Sequence, residues 1–227
     1  MIIDFRQLDN GTEIEADVCI IGAGAAGITL AGALRGSGVQ VCLLESGGYE
    51  LNEEIQSLYR GEKRGLPYWE LHLARLRYFG GSTNHWGGWC GPLDESDFEA
   101  RPWVPHSGWP IRRQALDAYY PAAQALCELG PYRYGIADWE DDARRFPDFH
   151  PAKLHAQLWQ FSPPTRFGTV YRRELGEAGN IRAYLYANVT ELETDENASR
   201  VLRAQIRTPG VTRGRCGPGI SSSPAAG

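Results

Sequence analysis

The segment Gly22-Ala23-Gly24-Ala25-Ala26-Gly27 directly follows the apolar run at 17–22 and opens a stretch with helical spacing, and no other part of the sequence restricts the fold as tightly. A short run that is apolar at nearly every position reads as a strand buried on both faces of a parallel sheet. Over 25–35, Leu30 and Leu34 stand four apart and Ile28 and Ala31 three apart, until Gly36-Ser37-Gly38 ends the helix. The apolar run at 39–44 supplies a second strand. Strand, helix and strand within about thirty residues make a βαβ unit, right-handed by the general rule for parallel crossovers.

The three glycines have different duties. Gly22 permits the tight turn, Gly24 lets backbone approach a pyrophosphate, and Gly27 lets helix and strand pack closely, while Ala25 and Ala26 open a helix whose N-terminus offers free N–H groups and positive potential. Glu45 ends the second strand about 20 residues further on, where a carboxylate accepts hydrogen bonds from ribose hydroxyls and repels a 2′-phosphate. This disfavours NADP and leaves FAD and NAD open. A nicotinamide reductase of the two-dinucleotide kind calls for a second glycine fingerprint or a Cys-x-x-Cys pair, and the sequence has neither.

Several function classes drop out. The 28 acidic residues outnumber the 23 Lys plus Arg, for a formal charge of −5, so there is no general field to hold nucleic acid or anionic lipid. Cys19, Cys42, Cys90, Cys127 and Cys216 are odd in number and far apart, so neither a disulfide framework nor a zinc site is expected. No stretch reaches ~18 uninterrupted apolar residues, and Met1-Ile2-Ile3-Asp4 lacks the basic start of a secretory signal, which points to a soluble cytoplasmic protein. The histidines His72, His106, His150 and His155 have no acid or thiol at metal-ligand spacing, and His106 with Ser107 reads as the start of a helix.

Further along, residues 110–126 carry Leu116, Tyr119, Tyr120, Ala123 and Leu126 at threes and fours, which predicts one amphipathic helix with Pro121 as the place for a kink. Residues 132–173 show no clear period and read as loop and short helix. Alternation over 181–192 and 200–206, with a turn at 195–199, predicts a two-stranded hairpin. Residues 208–227 hold five glycines, three prolines and no acid, a composition shift that places them outside the fold and suggests a shifted reading frame.

The second chemical motif is Phe79-Gly80-Gly81-Ser82-Thr83-Asn84-His85-Trp86-Gly87-Gly88-Trp89-Cys90, followed by Trp103-Val104-Pro105-His106-Ser107-Gly108-Trp109-Pro110. Together with the Gly22–Gly27 fingerprint it resembles the glucose-methanol-choline oxidoreductases, FAD enzymes that oxidise alcohol carbons, and in particular their pyranose-oxidase-like bacterial branch. The resemblance spans roughly 16–207. It implies an α/β, Rossmann-type FAD-binding domain over 1–95 and 181–207, with 96–180 as part of an inserted substrate domain.

The resemblance also implies site residues. Gly80, Gly81, Ser82 and Asn84 fall in the segment that runs beside flavin and pyrophosphate, and Val189 falls on the strand residue whose backbone meets adenine. His85 matches a histidine that in some relatives bonds covalently to the flavin; in others the matching residue packs against the ring and donates one hydrogen bond. Gly87 stands where one relative has a threonine that touches flavin N5, so that contact is missing here. The implied reaction is oxidation of a CH–OH group on a sugar, sterol or aromatic alcohol, with hydride passing to flavin and electrons then to oxygen or a quinone. In the family the base is a histidine paired with a second histidine or an asparagine, both near the C-terminus of a much longer chain, so no catalytic residue is assigned, and no metal ligand is named. The rival expectation is a non-catalytic truncated fragment.

Overall fold

The computed structural model describes residues 1–141, 145–147, 154, 156–210 and 212–218. It divides into two compact units, Met1–His85 with Arg166–Gly227, and Trp86–Thr165. The fold is α/β with a parallel sheet.

Among the described residues, the first unit contains two four-stranded sheets. In one, β1 (Ile2–Asp4), β3 (Val18–Ile21), β4 (Val41–Leu44) and β7 (Ile181–Leu185) run parallel in the order β1-β7-β4-β3. All four residues of β4 are buried, as a run apolar on both faces requires. The helix α1 (Ala25–Ala33) joins β3 to β4 and packs on both, burying Ile28 and Ala31. Its exit is pinned by Asn180, whose amide donates to the carbonyls of Leu34 (2.9 Å) and Val39 (2.7 Å) and accepts from Gly36 N–H (3.0 Å).

The second sheet has the order β2 (Thr12–Glu15), β10 (Arg213–Gly217), β9 (Val201–Arg207), β8 (Asn188–Thr194). Phe5, Ile14, Cys42, Leu44, Tyr184, Ala187, Ile206 and Cys216 form a core that draws on both sheets, with Phe5 fully buried and edge-on to Tyr184 at 6.1 Å between centroids. At the hairpin turn Asp195 accepts from Ser199 N–H and Oγ–H, both at 2.8 Å.

Four expectations need correction. Residues 181–192 are not one strand. The chain leaves the parallel sheet at Tyr186 (φ 58°), whose N–H donates to Gly47 O (3.0 Å), while Ala187 N–H donates to Glu45 O (2.8 Å), and β8 then enters the other sheet. Residues 208–227 are not all outside the fold, because Arg213–Gly217 pairs parallel with β2 and antiparallel with β9 and buries Cys216. Gly214 makes that pairing possible, since a Cβ there would run into the Phe5 ring and Thr12 O. The helix expected over 110–126 is a 3₁₀ turn at Arg113–Leu116 and a separate helix Tyr120–Leu126; Pro121, lacking an N–H, suits a first turn better than a kink. His106 (φ 59°) starts no helix: Ser107 Oγ accepts from Arg101 N–H at 2.7 Å, closing a loop instead. His150 and His155 lie outside the described residues.

The two compact units divide the chain at 85/86 and 165/166. Residues 166–180 stay with the first unit because the helices Phe167–Val170 and Arg172–Glu177 bury Phe167 and Leu175 against α1 and β7. Residues 86–95 go with the second because β5 (Trp89–Cys90) pairs antiparallel with β6 (Gln160–Phe161). In that unit the buried Gln124 organises the chain, donating to Gly130 O (3.0 Å) and accepting from Tyr134 O–H (2.8 Å). No helix among the described residues is long and apolar enough to cross a membrane.

Candidate dinucleotide site

A cavity of about 430 Å³ opens at the C-terminal ends of β3 and β4, where Ile21 and Gly22 leave one strand and Leu44, Glu45 and Ser46 leave the next. The carboxyl ends of adjacent parallel strands are where α/β sheets hold ligands, because helix N-termini and loop amides converge there. Gly22 has φ 97°, a left-handed conformation, and a Cβ at Gly22 or Gly24 would meet nothing within 4 Å. Gly27 is the opposite case: a Cβ there would run into the Gly22 carbonyl oxygen, so this glycine serves helix–strand contact. Gly24 stands at the N-cap of α1 with no side-chain cap, leaving the end of the helix to other acceptors.

Glu45 is 5% exposed and holds the site's walls together. Its Oε2 accepts from Ala23 N–H and its Oε1 from Gly47 N–H, each at 2.9 Å, and Ser46 Oγ lies 3.3 Å from Oε1. A carboxylate has about four acceptor positions, so these bonds leave capacity for ribose hydroxyls.

The segment 75–82 closes the opposite wall. Gly80 N–H donates to Ala23 O (2.7 Å) and Phe79 N–H to Gly48 O (2.9 Å), and Gly81 has space for a Cβ only at 3.0 Å from Gly24 Cα. The turn Gly81–Asn84 is locked from below: Thr83 Oγ donates to Gly80 O (2.7 Å) and accepts from Phe167 N–H (3.2 Å), while Arg166 donates to Thr83 O (2.6 Å).

Of the sequence-derived candidates, Gly22, Gly24, Glu45, Gly81, Ser82 and Val189 line the cavity. Ala25, Ala26 and Gly27 form the first turn of α1 without lining it. Gly80 is buried against Gly168, and the Asn84 amide donates to Phe79 O (2.9 Å), so both shape the turn rather than the wall. His85 caps that turn, exposed and outside the cavity lining.

Sequence reasoning missed a cationic group at the same cavity. Arg77 lies over the Tyr59 ring at 4.6 Å and donates to Asn188 Oδ1 at 2.6 Å, and its backbone N–H donates to Gln56 Oε1 at 3.0 Å. Its Nε is buried with no hydrogen-bond partner among the described residues, a donor that a bound anion or hydroxyl can satisfy. Arg75 and Asn188 join it on the lining. The one available signal was that Arg75 and Arg77 immediately precede Phe79-Gly80-Gly81; Tyr59 and Asn188 are distant in sequence and carried none.

The open backbone at Gly22 and Gly24, the uncapped helix end and the unpaired Arg77 Nε fit the pyrophosphate of a dinucleotide, and Glu45 fits its ribose. Comparison with known proteins agrees on this segment: residues 15–57 match the family model of an FAD binding domain. No curated protein matches the chain. Among solved structures, it is similar to pyridoxine 4-oxidase from Mesorbium loti (16% identity, TM-score 0.48, 90% of this chain and 48% of that one). It is also similar to formate oxidase from Aspergillus oryzae (14% identity, TM-score 0.48, 93% of this chain and 45% of that one). The chain thus spans about half the length of these proteins.

Proposed function

We propose that this chain is the flavin-binding portion of an FAD-dependent oxidoreductase of the glucose-methanol-choline kind, one that oxidises CH–OH groups. The observation that carries the reading is the juxtaposition of the open Gly22–Gly24 backbone with the buried Glu45 carboxylate at the ends of two parallel strands. The match of 15–57 to an FAD binding domain supports the flavin dinucleotide over the nicotinamide one, and the Phe79–Cys90 motif supports the family.

Within this reading, Gly22 and Gly24 admit the pyrophosphate, Arg77 offers its unpaired Nε to it, Glu45 accepts from the adenosine ribose, and the Val189 backbone flanks adenine. Bound FAD supplies a two-electron acceptor for hydride. The side chains of this chain bind and orient; none is assigned as the base that takes the substrate's hydroxyl proton. The alcohol or sugar substrate and the oxygen or quinone acceptor belong to the proposal for the whole protein.

Reconstitution decides the cofactor. The purified chain mixed with FAD is expected to retain a visible flavin spectrum through gel filtration and to bind NADH more weakly. Tight NADH binding with FAD left free would overturn the assignment. Acid precipitation of the same sample, followed by peptide mass spectrometry, assigns His85: flavin mass on its peptide means a covalent anchor, and flavin wholly in the supernatant means a packing role.

A further inference from the structure

Cysteines that are far apart in sequence meet in the fold. Cys19 on β3 and Cys42 on β4 are register partners in the parallel sheet, so their side chains leave the same face. Cys216 reaches them from β10 of the other sheet. The three sulfurs all lie within 4.8 Å of one another, and none is in a disulfide. Cys42 and Cys216 are 1% and 2% exposed, whereas Cys19, on the edge strand, is open to solvent.

The geometry points to a three-cysteine site for a thiophilic d¹⁰ cation, Zn²⁺ being the probe of choice, made by Cys19, Cys42 and Cys216. A Zn–S bond of about 2.3 Å places sulfurs at tetrahedral corners about 3.8 Å apart, so no side of the triangle needs to contract by more than about 1 Å, within reach of side-chain rotation. An all-sulfur donor set selects soft ions over Mg²⁺ and Ca²⁺. Binding exchanges three S–H bonds for three Zn–S bonds and releases three protons with no change of oxidation state, leaving a site of net charge −1. Cys19 is the solvent-facing ligand, and the fourth position falls to water on that side. The ion would staple the parallel sheet to β10, a role separate from the dinucleotide cavity, whose lining includes none of the three.

The competing description is three small apolar side chains filling space, which is how buried cysteines ordinarily behave. The two make different predictions for the reduced full chain. With Co²⁺ as a spectroscopic stand-in, the site is expected to bind one equivalent with a thiolate-to-cobalt charge-transfer band, and Zn²⁺ is expected to displace the cobalt and raise the thermal midpoint. Cys19→Ser alters only the exposed ligand, so the chain keeps its core; it should weaken Zn²⁺ binding by roughly tenfold or more and reduce the band. Cys127→Ser, in the other unit, should leave both unchanged. Absence of the band in the folded reduced chain, an undiminished band in Cys19→Ser, or its loss in Cys127→Ser would each overturn the site. Because the readouts are cobalt absorption and zinc affinity, they stand whether or not the chain holds flavin.

Discussion

The two units spend their aromatic and apolar residues differently. In Met1–His85 with Arg166–Gly227, Leu43 and Leu44 on β4, Ile206 on β9 and Phe5 on the 3₁₀ turn Phe5–Gln7 are at most 1% exposed. In Trp86–Thr165 regular structure is sparse among the described residues, and Trp103 and Trp109, both outside helices and strands, are at least 60% exposed. Regular elements satisfy their own backbone hydrogen bonds and so can bury a full apolar face, whereas loops must keep much of their backbone near water. The contrast teaches that hydrophobic content alone does not locate a core; periodicity does.

Truncating one aromatic in each unit tests that contrast hardest. Phe5→Ala should cost about 3–5 kcal/mol, because it empties a closed core, while Trp103→Ala, at 77% exposed, should stay within about 0.5 kcal/mol. Denaturant unfolding of both variants checks this, and equal losses would erase the distinction. Gly27→Ala should cost about 3 kcal/mol in the same assay, since its Cβ meets backbone oxygen, while Gly32→Ala, which meets nothing within 4 Å, should not destabilise.

Glu45→Ala sharpens the comparison at the site itself. It should weaken FAD by about 2 kcal/mol, the scale of losing a charged hydrogen-bond partner, measured by flavin fluorescence titration; unchanged affinity would remove the ribose role. The smallest effect belongs to the exposed corner of the first unit. There the Asp4 carboxyl is held below its ordinary range, first by the Arg6 side-chain hydrogen bond, and Arg6 lies over Tyr186 at 3.6 Å. A lowered folded-state pKa gives a contribution that is complete above the ordinary carboxylate value near 4 and lost as pH falls through the folded value. Asp4→Asn should therefore cost less than about 1 kcal/mol at neutral pH, with the difference from wild type vanishing in acid.

The β3–α1–β4 unit could be read from residues because its signals are local: a run apolar on both faces, a glycine turn, helical spacing and a terminal acid within thirty or so positions. The same holds for the 195–199 turn, where Asp195 bonds residues four and five ahead. The break at Tyr186 could not be read that way, because alternation continues through it; what turns the chain is bonding to Gly47 and Glu45, about 140 positions away. Composition misjudged 213–217 for a related reason. A glycine-rich stretch looks like a tail until its neighbours are known, and here Gly214 is what lets β10 lie against Phe5 and β2.

So the local pattern of small, apolar and acidic residues was enough to specify a dinucleotide-type βαβ crossover and three lining residues of its cavity, Gly22, Gly24 and Glu45, since each acts through neighbours near in the chain, while Gly81, Ser82 and Val189 were reached only through the family resemblance. The placing of Arg77 against Tyr59 and Asn188, the structural duties of Gly80 and Asn84, and the meeting of Cys19, Cys42 and Cys216 came from long-range packing. Such contacts depend on which strands become neighbours, and sheet order is set by the burial of the whole core rather than by any window of sequence.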